Sequence, residues 1–248
     1  MTRPVAPTEA LDPDLVLRAY AMGVFPMADA HDAANVYWVE PKLRAVLPLD
    51  GLRLTRSLAK TIRRDRFRVT TDMCFDAIVR LCGEAAEDRP ETWINPAIRH
   101  VFAALHARGF AHSVEVWDGD RLAGGLYGLA LGRAFFGESM VSRARDASKV
   151  ALAWLVARLR TGGFTLLDCQ FMTEHLASLG AVEVPRERYI ALLGAALGAS
   201  SAGLAFGAAR VDGDWRALDA LGASPDPVVT VSGPVAGKDI VQLLGQTS

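Results

Sequence analysis

The hydrophobic and polar positions of residues 112–142 predict three strands. HSVEVWD (112–118) alternates with a period of two, and RLAGGLYGLALG (121–132) and AFFGESMVS (134–142) are largely apolar segments of strand length. The DGD sequence at 118–120 joins the first two segments and is typical of a hairpin turn. The three segments therefore predict an antiparallel meander.

Helical spacing precedes and follows this meander. TWINPAIRHVFAALHARGF predicts a helix that starts near Asn95, carries Ile98, Phe102 and Leu105 on one stripe, and ends at Gly109. DASKVALAWLVARLRTGG predicts a second helix, for which Asp146 is the expected N-cap. Two long helices therefore flank the meander along the chain.

FTLLDCQ (164–170) follows the second helix and is apolar enough for a buried strand. A strand, a helix and a strand in this order predict a crossover connection, so this strand should run parallel to the last strand of the meander. Asp168 then lies at the carboxyl end of the strand, where ligands bind in such sheets. VEVP (182–185) and RERYIALL (186–193) predict a further strand and a short helix.

The two ends of the chain differ from this middle part. DPDLVLRAYAM (12–22) predicts a short helix with Asp12 as its cap, and the turn-rich segment 23–42 displays aromatic residues. From Gly194 the chain is rich in Gly, Ala and Ser, with DIVQLLGQ as a short helix candidate near its end. The sequence therefore predicts an α/β (α+β) protein, organised as a small N-terminal domain (1–50), a main domain (51–193) and a loosely ordered tail (194–248).

Composition narrows the class of protein. The 248 residues are 51% hydrophobic and 22% charged, which is typical of a globular protein. Three cysteines without CxxC spacing and five histidines without a paired ligand pattern predict neither a disulfide nor a metal site. No apolar run reaches the length of a membrane span, and the N-terminus lacks the order of a signal peptide, so we expect a cytoplasmic protein.

The charge is unevenly distributed along the chain. Residues 42–68 contain nine Lys and Arg residues against Asp50 and Asp65, whereas the whole chain has a formal net charge of -1. Such a segment is the electrostatic footprint expected of a surface that binds a polyanion. The alternative is a solvated helix face, because Leu54, Leu58 and Ile62 recur at helical spacing opposite the charges. The segment alone leaves both interpretations open.

The end of the predicted strand FTLLDCQ carries polar side chains that a core does not need. Asp168 and Gln170 share one face of the strand, where a carboxylate and an amide can orient an attacking group or accept its proton. The alternative is a local contact with the backbone of a turn. Cys169 faces the other side; a thiol nucleophile with His175 as its base is a weaker hypothesis, because a free cysteine on a core face usually serves packing.

Glu138 is the second unusual polar residue. Strand alternation places it on one face with Phe136 and Met140, and an unpaired carboxylate is costly to bury there. A site residue is one explanation. The other is an ion pair with a nearby cation, for which the candidates are Arg143, Arg145 and Lys149.

The chain contains four segments in a specific order: HSVEVWDGDRLAGGLYG, FFGESMVSRARDASKVAL, LLDCQFMTEHLASLGA and VPRERY. Together with YAMGVFP at 20–26 and TWI at 92–94, they resemble the leucyl/phenylalanyl-tRNA-protein transferase family over roughly residues 12–193. The resemblance implies a small N-terminal domain and a domain like that of the GNAT acyltransferases, built on a mixed sheet. It implies no metal and no coenzyme.

The same resemblance implies a bacterial enzyme with aminoacyl-tRNA as donor. The enzyme would move Leu, Phe or sometimes Met to a protein N-terminus bearing Arg or Lys, and the product would be marked for degradation. We expect such an enzyme to act as a monomer without a membrane partner.

The resemblance also assigns site residues. Asp168 and Gln170 fall on the pair proposed to activate the acceptor amine, and Glu138 lies in the same site. Trp93 would stack on the terminal adenosine. The donor side chain would occupy a hydrophobic pocket formed by Leu126, Phe135, Leu155 and Leu167, with Thr161 nearby. The tRNA body would lie along a basic surface, for which the candidate residues are Arg53, Arg56, Lys60, Arg63 and Arg64.

The chain departs from the family pattern at three places. Met27 replaces an aromatic residue that many relatives place against the adenosine, Thr173 stands where Asn is common, and the N-terminal domain is shorter. Three rival functions remain: a coenzyme A acetyltransferase, a leucyl transferase that acts on N-terminal Asp or Glu, and a non-catalytic RNA-binding module. The first is disfavoured because the turn SRARDASK lacks the glycines of a pyrophosphate-binding loop.

Overall fold

A computed structural model describes residues 11–33, 35–84, 92–198, 212–221 and 235–245. The described chain forms a two-stranded sheet, a seven-stranded sheet and the helices around them. In chain order the elements are α1 (Pro13–Ala21), β1 (Phe25–Met27), β2 (Tyr37–Val39), β3 (Leu43–Val46), α2 (Arg56–Arg63), β4 (Arg68–Thr71), α3 (Phe75–Cys82), α4 (Pro96–Ala107), β5 (Ala111–Asp118), β6 (Arg121–Leu131), β7 (Ala134–Ser142), α5 (Ala147–Thr161), β8 (Leu166–Gln170), α6 (Glu174–Ser178), β9 (Val182–Pro185), α7 (Arg186–Ala196), α8 (Ala217–Leu221) and α9 (Gly237–Gly245).

The seven-stranded sheet has the strand order β4-β5-β6-β7-β8-β3-β9. Adjacent strands of this sheet pair antiparallel, except β7 and β8, which are parallel. The crossover helix α5 connects β7 to β8. The meander and the parallel strand predicted from the sequence are thereby confirmed, and so is the mixed-sheet α/β class. β3 comes from the range predicted for the N-terminal domain, yet it hydrogen-bonds between β8 and β9 in the large sheet.

Two hydrophobic cores cover the two faces of this sheet. One contains α5 together with buried residues of α2, α8 and α9, and the other contains buried residues of α1, α3, α4 and α7. α5 is buried on almost every side from Ala147 to Leu159, as expected of a helix that is apolar nearly all round. The sheet therefore lies between two layers of helices.

The helix starts follow local capping chemistry. The Asp12 side chain accepts a hydrogen bond from the Asp14 amide, and the Asn95 side chain accepts one from the Ile98 amide at 2.9 Å. Asp146 does stand at the N-cap of α5, but in a left-handed conformation and without a side-chain capping bond. Its carboxylate instead lies 3.6 Å from Nζ of Lys149.

The ends of the chain hold more regular structure than the sequence pattern predicts. β1 and β2 pair within the segment expected to be turns, and Met27 ends β1. In the predicted loose tail, α8 and α9 pack on the main domain; the helix candidate DIVQLLGQ is confirmed as α9. The rest of that tail, residues 199–211, 222–234 and 246–248, lies outside the described residues.

Trp215 holds the first part of this tail in place. Its ring stacks on His112 and on Phe135, with centroid distances of 4.3 and 5.4 Å, and its Nε1 donates to Oδ2 of Asp72 at 2.9 Å. An aromatic ring buried among such partners contributes much of its surface to the core. In the part of the chain that the structure describes, no helix is long and apolar enough to span a bilayer.

Candidate active site

The candidate site lies where the pairing of β7 and β8 stops. Their last register pair is Phe136 with Asp168. The register of β6 and β7 shifts between Tyr127 and Gly128, which makes Glu138 the extra residue of a bulge. The expected common face of Phe136, Glu138 and Met140 is therefore wrong: Phe136 belongs to one core and Met140 packs on the other.

A cavity of about 280 Å³ opens beyond this last pair of residues. A volume of this size is close to the lower end of ligand pockets, about 300 Å³. Most of its lining is apolar, whereas Glu138, Gln170 and His175 supply polar atoms. Such a cavity suits an apolar side chain whose reacting end meets polar groups.

Four of the predicted substrate-binding residues line this cavity: Trp93, Leu126, Leu155 and Leu167. Phe135 does not line it; Phe135 is buried beside Leu167 through strand pairing and stacks on Trp215. Thr161 is the last residue of α5, six positions beyond Leu155, and does not line it either. Further lining residues that no sequence pattern indicated lie on α5, β7 and α6, namely Leu152, Met140 and Leu176.

Asp168 is fully buried and all its contacts are internal. Arg44 grips the carboxylate with two nitrogens, Nε at 2.9 and 3.0 Å and Nη2 at 2.7 Å. The Tyr189 hydroxyl donates to Oδ2 at 2.7 Å, and the main-chain N–H of Gln170 donates to Oδ1 at 2.8 Å. Both oxygens are thus occupied by donors, an arrangement that holds the carboxylate in a fixed position.

Arg44 links this carboxylate to the N-terminal part of the chain. Its guanidinium lies between the rings of Phe25 and Tyr189, 4.5 and 4.7 Å from their centroids, and Nη1 donates to the carbonyl of Gly23 at 3.2 Å. In the sequence, Arg44 is one of the nine cations of the basic segment 42–68. Only the structure separates it from the other cations, because it places Arg44 in β3, a buried strand inside the large sheet.

Gln170 has a left-handed backbone, with φ of 62°. That conformation is uncommon for a residue other than glycine, and the bond from the Gln170 amide to Asp168 helps to stabilise it. The Gln170 side chain donates through Nε2 to Oε1 of Glu138 at 3.0 Å. Asp168 therefore contacts the main chain of Gln170, and the amide side chain is directed to Glu138.

Glu138 is the acidic group of the cavity wall. Its Oε1 accepts from Gln170 and from the Tyr20 hydroxyl at 2.7 Å, whereas Oε2 is buried and has no hydrogen-bond partner among the described residues. Burial raises the pKa of Glu138 to about 7. The ion-pair alternative is not supported, because Glu138 shares no ion pair within the described chain, while Arg143 pairs with Glu84. Glu138 can therefore exchange a proton near neutral pH.

Cys169 and His175 both line the cavity. Burial raises the pKa of Cys169 to about 12, so the sulfur remains a thiol at neutral pH. Burial, together with the charge of Lys149, lowers the pKa of His175. A neutral imidazole with a protonated thiol is not the thiolate pair that nucleophilic catalysis requires.

Cys169→Ala should accordingly keep at least about half of the wild-type kcat/KM, because the thiol in the cavity lining stays protonated and does not act as a nucleophile. Initial rates of the two proteins, compared at equal folded fraction by circular dichroism, check this outcome. A loss beyond about a hundredfold, as expected when a nucleophile is removed, would contradict it.

The predicted nucleic-acid surface is a separate feature. α2 buries Leu58 and Ile62, and the five predicted cations are exposed. Arg53 donates to the carbonyl of Ala177 at 3.4 Å; within the described ranges the other four form no ion pair. These unpaired cations on the exposed face of α2 are Arg56, Lys60, Arg63 and Arg64. The described chain also holds no group of three His, Cys, Asp or Glu residues arranged to bind a metal ion.

Family models and curated relatives point to one family. A model described as leucyl/phenylalanyl-tRNA protein transferase matches residues 46–194, and one described as the N-terminal domain of that protein matches residues 9–42. These matches first define the class of the protein, which is a transferase. More specifically, the chain belongs to the leucyl/phenylalanyl-tRNA protein transferase family.

Curated relatives carry the same name. A leucyl/phenylalanyl-tRNA-protein transferase of Rhizorhabdus wittichii is 61% identical over 97% of this chain and 100% of its own length. Relatives with this name from Zymomonas mobilis and Afipia carboxidovorans are 56% and 48% identical; they cover 86% and 96% of this chain and 78% and 95% of their own lengths. The similarity thus extends over nearly the whole length of the chain.

Proposed function

We propose that this protein transfers Leu or Phe from aminoacyl-tRNA to the N-terminal amine of an acceptor protein. The observation that carries the proposal is the apolar cavity beyond the last β7–β8 pair, with Glu138 and Gln170 in its wall. The family and the names of the relatives support the same activity. No cofactor is needed, since the donor ester is already activated.

The donor would place its amino-acid side chain against Leu126, Leu155 and Leu167. An apolar pocket resolves neighbouring side chains by only about 1–3 kcal/mol per methylene, so Leu, Phe and Met should all be accepted. Trp93 in the cavity wall would stack on the terminal adenosine, a contact that contributes about 1–3 kcal/mol. The phosphates of the tRNA body would bind the cations of α2, whose exposure and lack of ion pairs suit that role.

The chemistry forms an amide bond and breaks an ester bond. The acceptor nitrogen attacks the ester carbonyl carbon, the 3'-oxygen of the ribose leaves, and one proton must pass from the nitrogen to that oxygen. We assign the proton transfer to Glu138, because it lines the cavity, its buried Oε2 accepts no hydrogen bond from the described residues, and its pKa is raised to about 7. Asp168 would act as a positioning residue: it holds Arg44, Tyr189 and the Gln170 main chain, so that Gln170 is directed to Glu138.

The acceptor would be a protein that begins with Arg or Lys. An anionic Glu138 in the cavity wall attracts a cationic N-terminal residue and repels Asp or Glu at the same place. This charge favours the Arg and Lys specificity over that of a transferase for acidic N-termini. The product would be a protein marked for degradation, and the enzyme would act in the cytoplasm as a monomer.

The direct test uses labelled Leu-tRNA and model proteins that begin with Arg, Lys, Asp or Glu. Label on the Arg and Lys proteins alone supports the proposal as stated. Label on the Asp or Glu proteins would retain the reaction and overturn the acceptor assignment. If tRNA binds but no acceptor is labelled, the protein is a binding module and the transferase proposal fails.

A further inference from the structure

Helix α9 lies beyond both segments that match the family and packs directly on α2. It buries Ile240 and Val241 in the same core that contains Leu58 and Ile62 of α2. The carbonyl of Leu244 in α9 accepts a hydrogen bond from Nη1 of Arg160 at 3.4 Å, which also ties α9 to the crossover helix α5. The buried face of the basic helix α2 therefore packs on the C-terminal helix α9.

The two helices approach each other closely at Gly237, the first residue of α9. Its amide donates to Oδ1 of Asp65 at 2.7 Å. A Cβ atom at Gly237 would clash with the carbonyl group of Ile62 and with the Asp65 carboxylate, so this position accepts only a glycine without a shift of one helix. The contact therefore depends on both the main chain of α2 and the side chain of Asp65.

Asp65 follows Arg63 and Arg64, two of the exposed cations, in the chain. It has a left-handed backbone, with φ of 46°, and ends the turn that closes α2. The hydrogen bond from the Gly237 amide to the Asp65 carboxylate fixes this turn against the start of α9. The orientation of the last cations of α2 is thereby coupled to the docking of α9.

We propose that α9 is a positioning element for tRNA binding: by holding the Asp65 turn and the buried side of α2, it presents the cations of α2 as a preformed surface for phosphates. This inference rests on the proposed aminoacyl-tRNA donor. Its physical basis is preorganisation, because a fixed set of cations loses less conformational freedom when it binds. α9 would contribute to binding of the tRNA body and would not take part in the chemistry.

The first test compares one substitution at the two ends of α9. Gly237→Ala should displace α9 from α2, weaken tRNA binding about tenfold, and reduce the slope of log Kd against log salt by about 1. Gly245→Ala is the matched control, since a Cβ atom there meets no neighbour within 4 Å. Equal tRNA affinity and equal salt slope in the two variants would overturn the proposal.

A second pair of variants separates position from charge. Asp65→Gly and Asp65→Asn both remove one negative charge beside the cations, and both residues tolerate a positive φ. Only Asn retains an oxygen that can accept from the Gly237 amide. The proposal predicts tRNA binding about three- to tenfold weaker for Asp65→Gly than for Asp65→Asn. Equal or tighter binding by the Gly variant would show that charge alone matters.

Leucyl-adenosine separates this inference from the proposed function, because it carries the reacting ester without the tRNA body. The Gly237→Ala enzyme should use leucyl-adenosine within about twofold of wild type while its KM for Leu-tRNA rises. A parallel loss with both donors would show that α9 merely supports the fold. Absence of transfer by the wild-type enzyme from either donor would instead reject the proposed function.

Discussion

Arg44→Met should lower the free energy of unfolding by about 3–5 kcal/mol, because it leaves the fully buried Asp168 carboxylate without its cation. The variant also removes the contacts of the guanidinium with the rings of Phe25 and Tyr189. Transfer activity should fall as well, since the Gln170 main chain depends on Asp168 for its position. Urea unfolding at pH 7, followed by circular dichroism, measures the first effect.

Two comparisons make this result specific to a buried pair. Arg108→Met breaks the exposed ion pair of Arg108 with Asp14 and should cost less than about 1 kcal/mol. The double variant Arg44→Met, Asp168→Leu removes both charges and should recover much of the stability that the single variant loses. If Arg44→Met lowered the free energy of unfolding no more than Arg108→Met does, the buried pair of Arg44 and Asp168 would not have the structural importance that we assign to it.

The difference between Arg44 and Asp168 shows what a sequence pattern can and cannot predict. Asp168 ends an apolar run that follows a predicted helix, so its place at the carboxyl end of a strand followed from that run and from the order of strand, helix and strand. Arg44 lies in β3, a strand of four residues that pairs with β8 and β9, which are far away in the chain. No local pattern indicates such pairing, and the surrounding basic residues made Arg44 resemble a surface cation.

Glu138 shows a second limit. Strand alternation placed it correctly in a strand, but a bulge, which inserts one residue into the pairing, changed its face. Its partners Tyr20 and Gln170 come from α1 and β8, so the contacts depend on tertiary structure. The tail is the third case, because its composition predicted loose order. Trp215 nevertheless packs on Phe135, and α9 packs closely on α2 at Gly237. Such contacts depend on single residues at particular positions, which an average composition does not show.

Glu138→Gln should reduce kcat by about 10²–10⁴, because an amide cannot accept the proton that the acceptor amine releases. Wild-type kcat should rise as pH increases through about 7, where the carboxyl group ionises, and the variant should lack this limb. Gln keeps an oxygen for the bonds from Tyr20 and Gln170, so the site geometry should be retained. Glu174→Gln, at an exposed residue of α6, is the matched control and should keep the wild-type profile.

The same substitution should stabilise the fold at high pH. The pKa of Glu138 rises from an ordinary 4.5 to about 7 on folding, so its contribution to stability is fully present below pH 4.5 and is lost as pH rises through 7. The loss amounts to about 3 kcal/mol at pH 8, and a neutral Gln avoids it. Urea unfolding should therefore show a variant more stable than wild type at pH 8, with the difference shrinking toward pH 5. If Glu138→Gln is less active and also more stable than wild type, Glu138 is a group retained for chemistry at a cost in stability. If the variant keeps the wild-type rate or the wild-type pH profile, another group transfers the proton.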